Sequence, residues 1–70
     1  MDFGEAIKAL KGGYSVQRAG WNGKGMYLYR KHFDGYDPCI VMHTAQGTEQ
    51  PGWLASQADI LAEDWSILPE

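Results

Sequence analysis

Apolar residues recur at Phe3, Ala6, Ile7 and Leu10, the i, i+3, i+4, i+7 spacing of one helix face. Asp2 stands in the N-cap position three residues before Glu5, and Gly12-Gly13 ends the pattern, so a short amphipathic helix is predicted over roughly 3–11. From Tyr14 the period falls to two. Tyr14-Ser15-Val16-Gln17-Arg18 alternates about a β-branched centre and reads as a strand. Behind it, Gly20-Trp21-Asn22-Gly23-Lys24-Gly25 is a loop with three glycines in six positions. Met26-Tyr27-Leu28-Tyr29-Arg30-Lys31-His32 is the next strand. Asp34-Gly35-Tyr36-Asp37-Pro38 supplies turn chemistry, and Cys39-Ile40-Val41-Met42-His43-Thr44 is the most strand-like run in the chain.

Ala45-Gln46-Gly47-Thr48 turns the chain again. Glu49-Gln50-Pro51-Gly52 is not expected to extend far as a central strand, because Pro51 has no N–H to donate. Ser56-Gln57-Ala58-Asp59 fits a capping box that opens a second short helix near residues 57–63, and Trp65-Ser66-Ile67-Leu68 ends the chain as an edge strand. The order α-β-β-β-α-β predicts one α+β domain over residues 1–70. It has a small antiparallel sheet, an N-terminal helix and a short C-terminal helix, both helices on one face.

Seventy residues with 44% apolar side chains leave room for one small core, and a domain of this size is marginal without added support. A single Cys39 excludes an internal disulfide. With only His32 and His43 beside it, no common four-ligand zinc set is available, and no cofactor or metal is expected. Oligomerisation is the remaining inexpensive support, with Phe3, Ile7 and Leu10 of the first helix as the expected contacts. No apolar run approaches the roughly 18 residues of a membrane span, and the N-terminus has no basic leader, which points to the cytosol.

The net charge of −3 conceals a division. All six basic residues lie within residues 1–31 against only Asp2 and Glu5, a balance of +4, whereas residues 32–70 hold seven acidic residues and no Lys or Arg, a balance of −7. Such halves attract each other within or between subunits. With a sequence pI of about 5.2, binding to DNA or RNA polymers is not expected, because polyanion binders rely on a basic surface. Capture of a small anion is compatible with the local charges.

No nucleophile elbow, phosphate loop or paired metal motif occurs. Cys39 and His43 share a strand face but stand roughly 13 Å apart at about 3.3 Å per residue, so no catalytic residue is assigned. The chemistry is concentrated in the glycine loop. Its glycines let backbone N–H groups approach a ligand, Trp21 offers a stacking face, and Arg18 and Lys24 can meet phosphate oxygens. A tight connection with Trp21 as a lid over the core would use the same residues. Trp65 is expected in the core. Trp53, after Pro51-Gly52, suits either the core or a pocket beside the helix that opens at Ser56.

Residues Phe3-Gly4-Glu5-Ala6-Ile7 with Ala9-Leu10, Arg18 with Gly20-Trp21-Asn22-Gly23-Lys24-Gly25-Met26, Tyr36-Asp37-Pro38-Cys39-Ile40, and Pro51-Gly52-Trp53-Leu54-Ala55-Ser56-Gln57-Ala58-Asp59 with Leu61-Ala62 and Asp64-Trp65 together resemble a phage and prophage family. It is the second type of Thoeris anti-defence protein, and the resemblance spans nearly the whole chain. It implies a homotetrameric, non-catalytic sponge in the infected host's cytoplasm that sequesters the cyclic ADP-ribose isomer made by a Thoeris TIR enzyme. Some members also hold cyclic di- or trinucleotide signals of the CBASS type. On that reading Trp21 stacks on a purine and Asn22 reads a base edge or ribose hydroxyl, while Arg18 and Lys24 take phosphates. Ser56, Gln57 and Asp59 take ribose hydroxyls or a second phosphate, and Thr44 and Trp53 are further candidates. For Ser56 and Asp59 the capping box alone is the competing role, and for the whole chain a structural or protein-binding phage module is the alternative.

Overall fold

The computed structural model describes residues 1–21 and 25–69. Helix α1 spans Phe3–Lys11, with both bonds of its capping box made: Glu5 N–H donates to Asp2 Oδ1 at 2.8 Å and Asp2 N–H to Glu5 Oε1 at 3.0 Å. Gly12 caps its C-terminus, donating to the last free carbonyls. Strands β1 (Val16–Arg18), β2 (Tyr27–Lys31), β3 (Cys39–His43), β4 (Glu49–Pro51) and β5 (Trp65–Ile67) form one antiparallel sheet in the order β4-β3-β2-β1-β5, with helix α2 (Gln57–Leu61) between β4 and β5 in the chain. A 3-10 turn, Ala19–Trp21, leaves β1 toward the glycine loop. Among the described residues no helix is long and apolar enough to cross a membrane.

The α+β class, the boundaries of α1 and the edge position of β5 agree with the sequence pattern. The strand count differs by one. Glu49–Pro51 pairs with β3 through Val41↔Pro51, Met42↔Gln50 and His43↔Glu49. It does so at the sheet edge, where the N–H that Pro51 lacks is not needed by a second neighbour. Helix α2 is also shorter than expected, ending at Leu61.

Register divides the sheet into two unlike faces. Val16, Leu28 and Met42 stand in line across β1, β2 and β3, and Arg18 opposes Trp65 across β1 and β5. This face carries the helices and the core of Ala6, Ala9, Leu10, Val16, Leu28 and Trp65. Leu10 is 2% exposed, with Phe3 and Ile7 packed on the same cluster. Leu10 thus belongs to the chain's own core, while Phe3 and Ile7 are only partly buried against it. The opposite face carries Tyr27, Tyr29, Val41 and His43, with Tyr27 and His43 stacked at 4.4 Å.

Leu28 is fully buried in a core of few side chains. Leu28→Ala is expected to cost about 2–5 kcal/mol by lost transfer energy and the cavity left behind. The exposed Lys8→Ala should stay within about 0.5 kcal/mol of wild type. Urea titration followed by circular dichroism measures both.

Candidate functional site

Two residues that the sequence reading sent to a ligand meet each other. Arg18, at the end of β1, donates from Nη1 to Asp59 Oδ1 at 2.8 Å and from Nε to Asp64 Oδ1 at 2.9 Å. Asp64 also accepts from Gly20 N–H at 2.7 Å through Oδ2, and its carbonyl accepts from Ala19 N–H at 3.2 Å. One guanidinium thus ties β1, α2 and the segment before β5 to the root of the glycine loop. A methyl group at Gly20 would lie 3.1 Å from both Arg18 Nη2 and Asp64 Oδ2. A side chain there would push the Arg18 and Asp64 groups aside by a few tenths of an ångström.

Asp59 is doubly committed. At N3 of α2 its Oδ2 accepts from Ser56 N–H at 3.0 Å while its own N–H donates to Ser56 Oγ at 3.1 Å. Its backbone oxygen accepts from the buried Trp65 Nε1 at 3.0 Å. Burial pushes the Asp59 carboxyl upward, but the Arg18 and Ser56 hydrogen bonds outweigh it and hold the group below its ordinary value. Arg18 and the Gly20 N–H hold Asp64 low as well. Hydrogen bonds to the same two carboxylates raise Arg18.

Trp65 is the hub of an aromatic cluster. Phe3, Trp21 and Trp53 surround it with ring centroids at 5.6, 5.4 and 6.2 Å, and Trp21 also meets Trp53 edge-on at 6.4 Å. Trp21 and Trp53 remain half-buried. Tilted and edge-on contacts of this kind suit the ring quadrupoles. The far end of the loop is tied down as well: His43 Nδ1 lies 2.9 Å from the carbonyl of Gly25, whose φ of +78° favours glycine.

The sequence profile of the Thoeris anti-defense 2-like domain matches residues 1–68. The chain belongs to that family. A relative described as Thoeris anti-defense 2, from Bacillus phage SP01, is 38% identical over 85 residues, covering 97% of this chain and 94% of the relative. The resemblance drawn from the motifs is therefore a family relationship.

In this Thoeris anti-defense 2-like chain the structure gathers Arg18, Trp21, Trp53, Ser56 and Asp59 around one corner of the sheet. Arg18 sits there between carboxylates, one negative charge in excess, and Ser56 and Asp59 use their side chains to cap α2. Gln57 is exposed at the first turn of α2. Thr44 stands apart, its hydroxyl 2.7 Å from Thr48 Oγ1 and accepting from Thr48 N–H at 3.1 Å within the β3–β4 turn. Asn22 and Lys24 lie outside the described residues. Asp64 and His43 also hold this region, at Gly20 and Gly25, and local sequence spacing gives no signal of either contact.

Asp59 and Asp64 have folded-state values below their ordinary ones, so their contribution is present above the unfolded value and is lost as pH falls through the folded values. The melting temperature should be level from pH 7 to about 5 and decline with acidification below about pH 4. Arg18→Met strands Asp59, whose side chain is 11% exposed, and should cost on the order of 3 kcal/mol at pH 7 while reducing the acid dependence. Thermal melts across pH on both proteins check the sign.

Proposed function

We propose that this chain is a non-catalytic phage anti-defence sponge, which binds a nucleotide-derived immune signal and holds it intact in the cytoplasm of the infected host. The observation that carries the reading is Trp21. Its ring is half-buried at the root of a glycine-rich loop, held by edge-on contact with Trp65, and it belongs to a chain of the Thoeris anti-defense 2-like family. The signal made by a Thoeris TIR enzyme, a cyclic ADP-ribose isomer, is the first candidate, with CBASS-type cyclic di- or trinucleotides as further ones.

The purine stacks on Trp21, Asn22 reads its edge or a ribose hydroxyl, and Lys24 supplies positive charge for phosphate. Trp53 and Gln57 border the same corner. Arg18, Ser56 and Asp59 act chiefly by holding the loop root, because a phosphate approaching Arg18 would meet two carboxylates already in place. Thr44 serves through the β3–β4 turn. Assembly into a homotetramer would add core area to a small subunit and cover Leu54 and Leu61, which are 89% and 75% exposed. The same two leucines favour the second reading, a protein-binding phage module without a nucleotide ligand.

Calorimetric titration with cyclic ADP-ribose isomers and cyclic dinucleotides, followed by heat release and chromatography of the ligand, should show binding and unaltered recovery. Converted product would establish an enzyme, and absence of binding to every nucleotide would leave the protein-binding module. Trp21→Ala should weaken binding by about 1–3 kcal/mol, the usual value of a base–aromatic stack. Because Trp21 packs on Trp65, this change also lowers the melting temperature, unlike a purely surface residue. Trp21→Phe keeps a ring in place and should recover part of both losses.

Sedimentation at micromolar concentration should give a mass near four subunits of 7.8 kDa, and Leu54→Asp with Leu61→Asp should lower it. A wild-type monomer would remove the tetramer.

A further inference from the structure

A separate cavity of about 460 Å³ lies where the β2–β3 connection meets the end of β4, lined by Phe33, Tyr36, Asp37, Cys39, Pro51 and Gly52. We infer that it is a binding site for an uncharged or cationic planar heteroaromatic ring carrying an N–H donor, such as a nucleobase or nucleoside without phosphate. Its volume falls within the range of small-ligand clefts.

Both walls are fixed by the backbone. Tyr36 N–H donates to Phe33 O at 3.0 Å, closing the turn that brings both aromatic residues to the cavity, and Gly52 and Trp53 N–H both donate to Ile40 O at 3.0 Å, pinning the other wall to β3. Lys31 Nζ sits 5.1 Å from the Phe33 ring centroid while bonded to Glu49 at 3.1 Å, so its charge is compensated. Tyr36 is 74% exposed, an unusual placement for a large aromatic ring that stacking on a ligand would cover. Among the described residues Asp37 is the one charged residue of the lining. It accepts from a ring N–H or exocyclic amine and repels a phosphate, and this charge preference selects the occupant.

Adenosine and AMP, titrated into the full chain with NMR detection of aromatic resonances, test the inference. Adenosine should bind at least about tenfold more tightly than AMP and shift Phe33 and Tyr36. Tyr36→Ala should weaken adenosine binding about tenfold or more without lowering the melting temperature, and Asp37→Asn should narrow the adenosine–AMP difference. Resonances of Phe33 and Tyr36 should saturate with adenosine independently of those of Trp21, which separates this cavity from the proposed signal site. Equal or tighter binding of AMP, no shift at millimolar adenosine, or shifts confined to Trp21 with Phe33 and Tyr36 unmoved would overturn it. A drop in sedimenting mass caused by Tyr36→Ala would also overturn it, since the cavity would then be a contact between copies.

Discussion

Placing a guanidinium beside a core tryptophan in a domain this small is the constraint from which the rest of the structure follows. Strand pairing opposes Arg18 to Trp65, and the Arg18 side chain is only 17% exposed. A cation taken that far from water is costly unless its donors are met. Asp59 and Asp64 meet them from two different segments. Lysine would not serve equally, because a single ammonium cannot hold two carboxylates in the fixed geometry of the planar fork. Among the described residues no buried side-chain nitrogen or oxygen lacks a hydrogen-bond partner, which lets a polar cluster sit against the aromatic hub without the penalty of an unmet group.

The clamp also accounts for the uneven charge along the chain. Each ion pair among the described residues joins a basic residue of the first 31 to an acidic residue of the remainder: Arg18 to Asp59, Arg18 to Asp64, and Lys31 to Glu49. Tyr29 stands beside Glu49. Burial first, and the nearby carboxylate second, push its hydroxyl up to about 12, so it stays neutral and available as a donor across the physiological range. Part of the division into +4 and −7 halves is therefore resolved within the chain itself.

Local signals were legible where the physics is local. The Asp2/Glu5 and Ser56/Asp59 boxes involve residues three apart, and both helices begin where those boxes place them. Alternation found β2 and β3 because each runs for five residues. Strand β4 is three residues long and contains Pro51, so propensity opposed it and only pairing with Val41–His43 reveals it. Arg18 lies 41 and 46 residues from its two partners. Nothing in the spacing distinguishes a guanidinium meant for carboxylates from one meant for phosphate. The family resemblance carried the signal because it registers whole motifs, Arg18 with Gly20-Trp21 and Asp59 with Asp64-Trp65, without needing to know that they touch.

The contact between these motifs changes what the glycine loop can be. A loop whose glycines merely allow turning could be rooted anywhere. Here Gly20 N–H is held by Asp64 Oδ2, Ala19 N–H by Asp64 O, and Gly25 O by His43. The two ends of the segment are thus fastened to β5's approach and to β3, on either side of β1 and β2. Fixing both ends of a chain segment lowers its conformational entropy. It also fixes the plane of Trp21, since its ring is wedged against Trp53 and Trp65. On the sponge reading proposed above, a stacking ring already oriented would lose little side-chain freedom on binding, so more of the stacking energy would be retained as affinity. The Trp53 and Trp65 contacts would then supply part of what depth of pocket supplies in a larger protein.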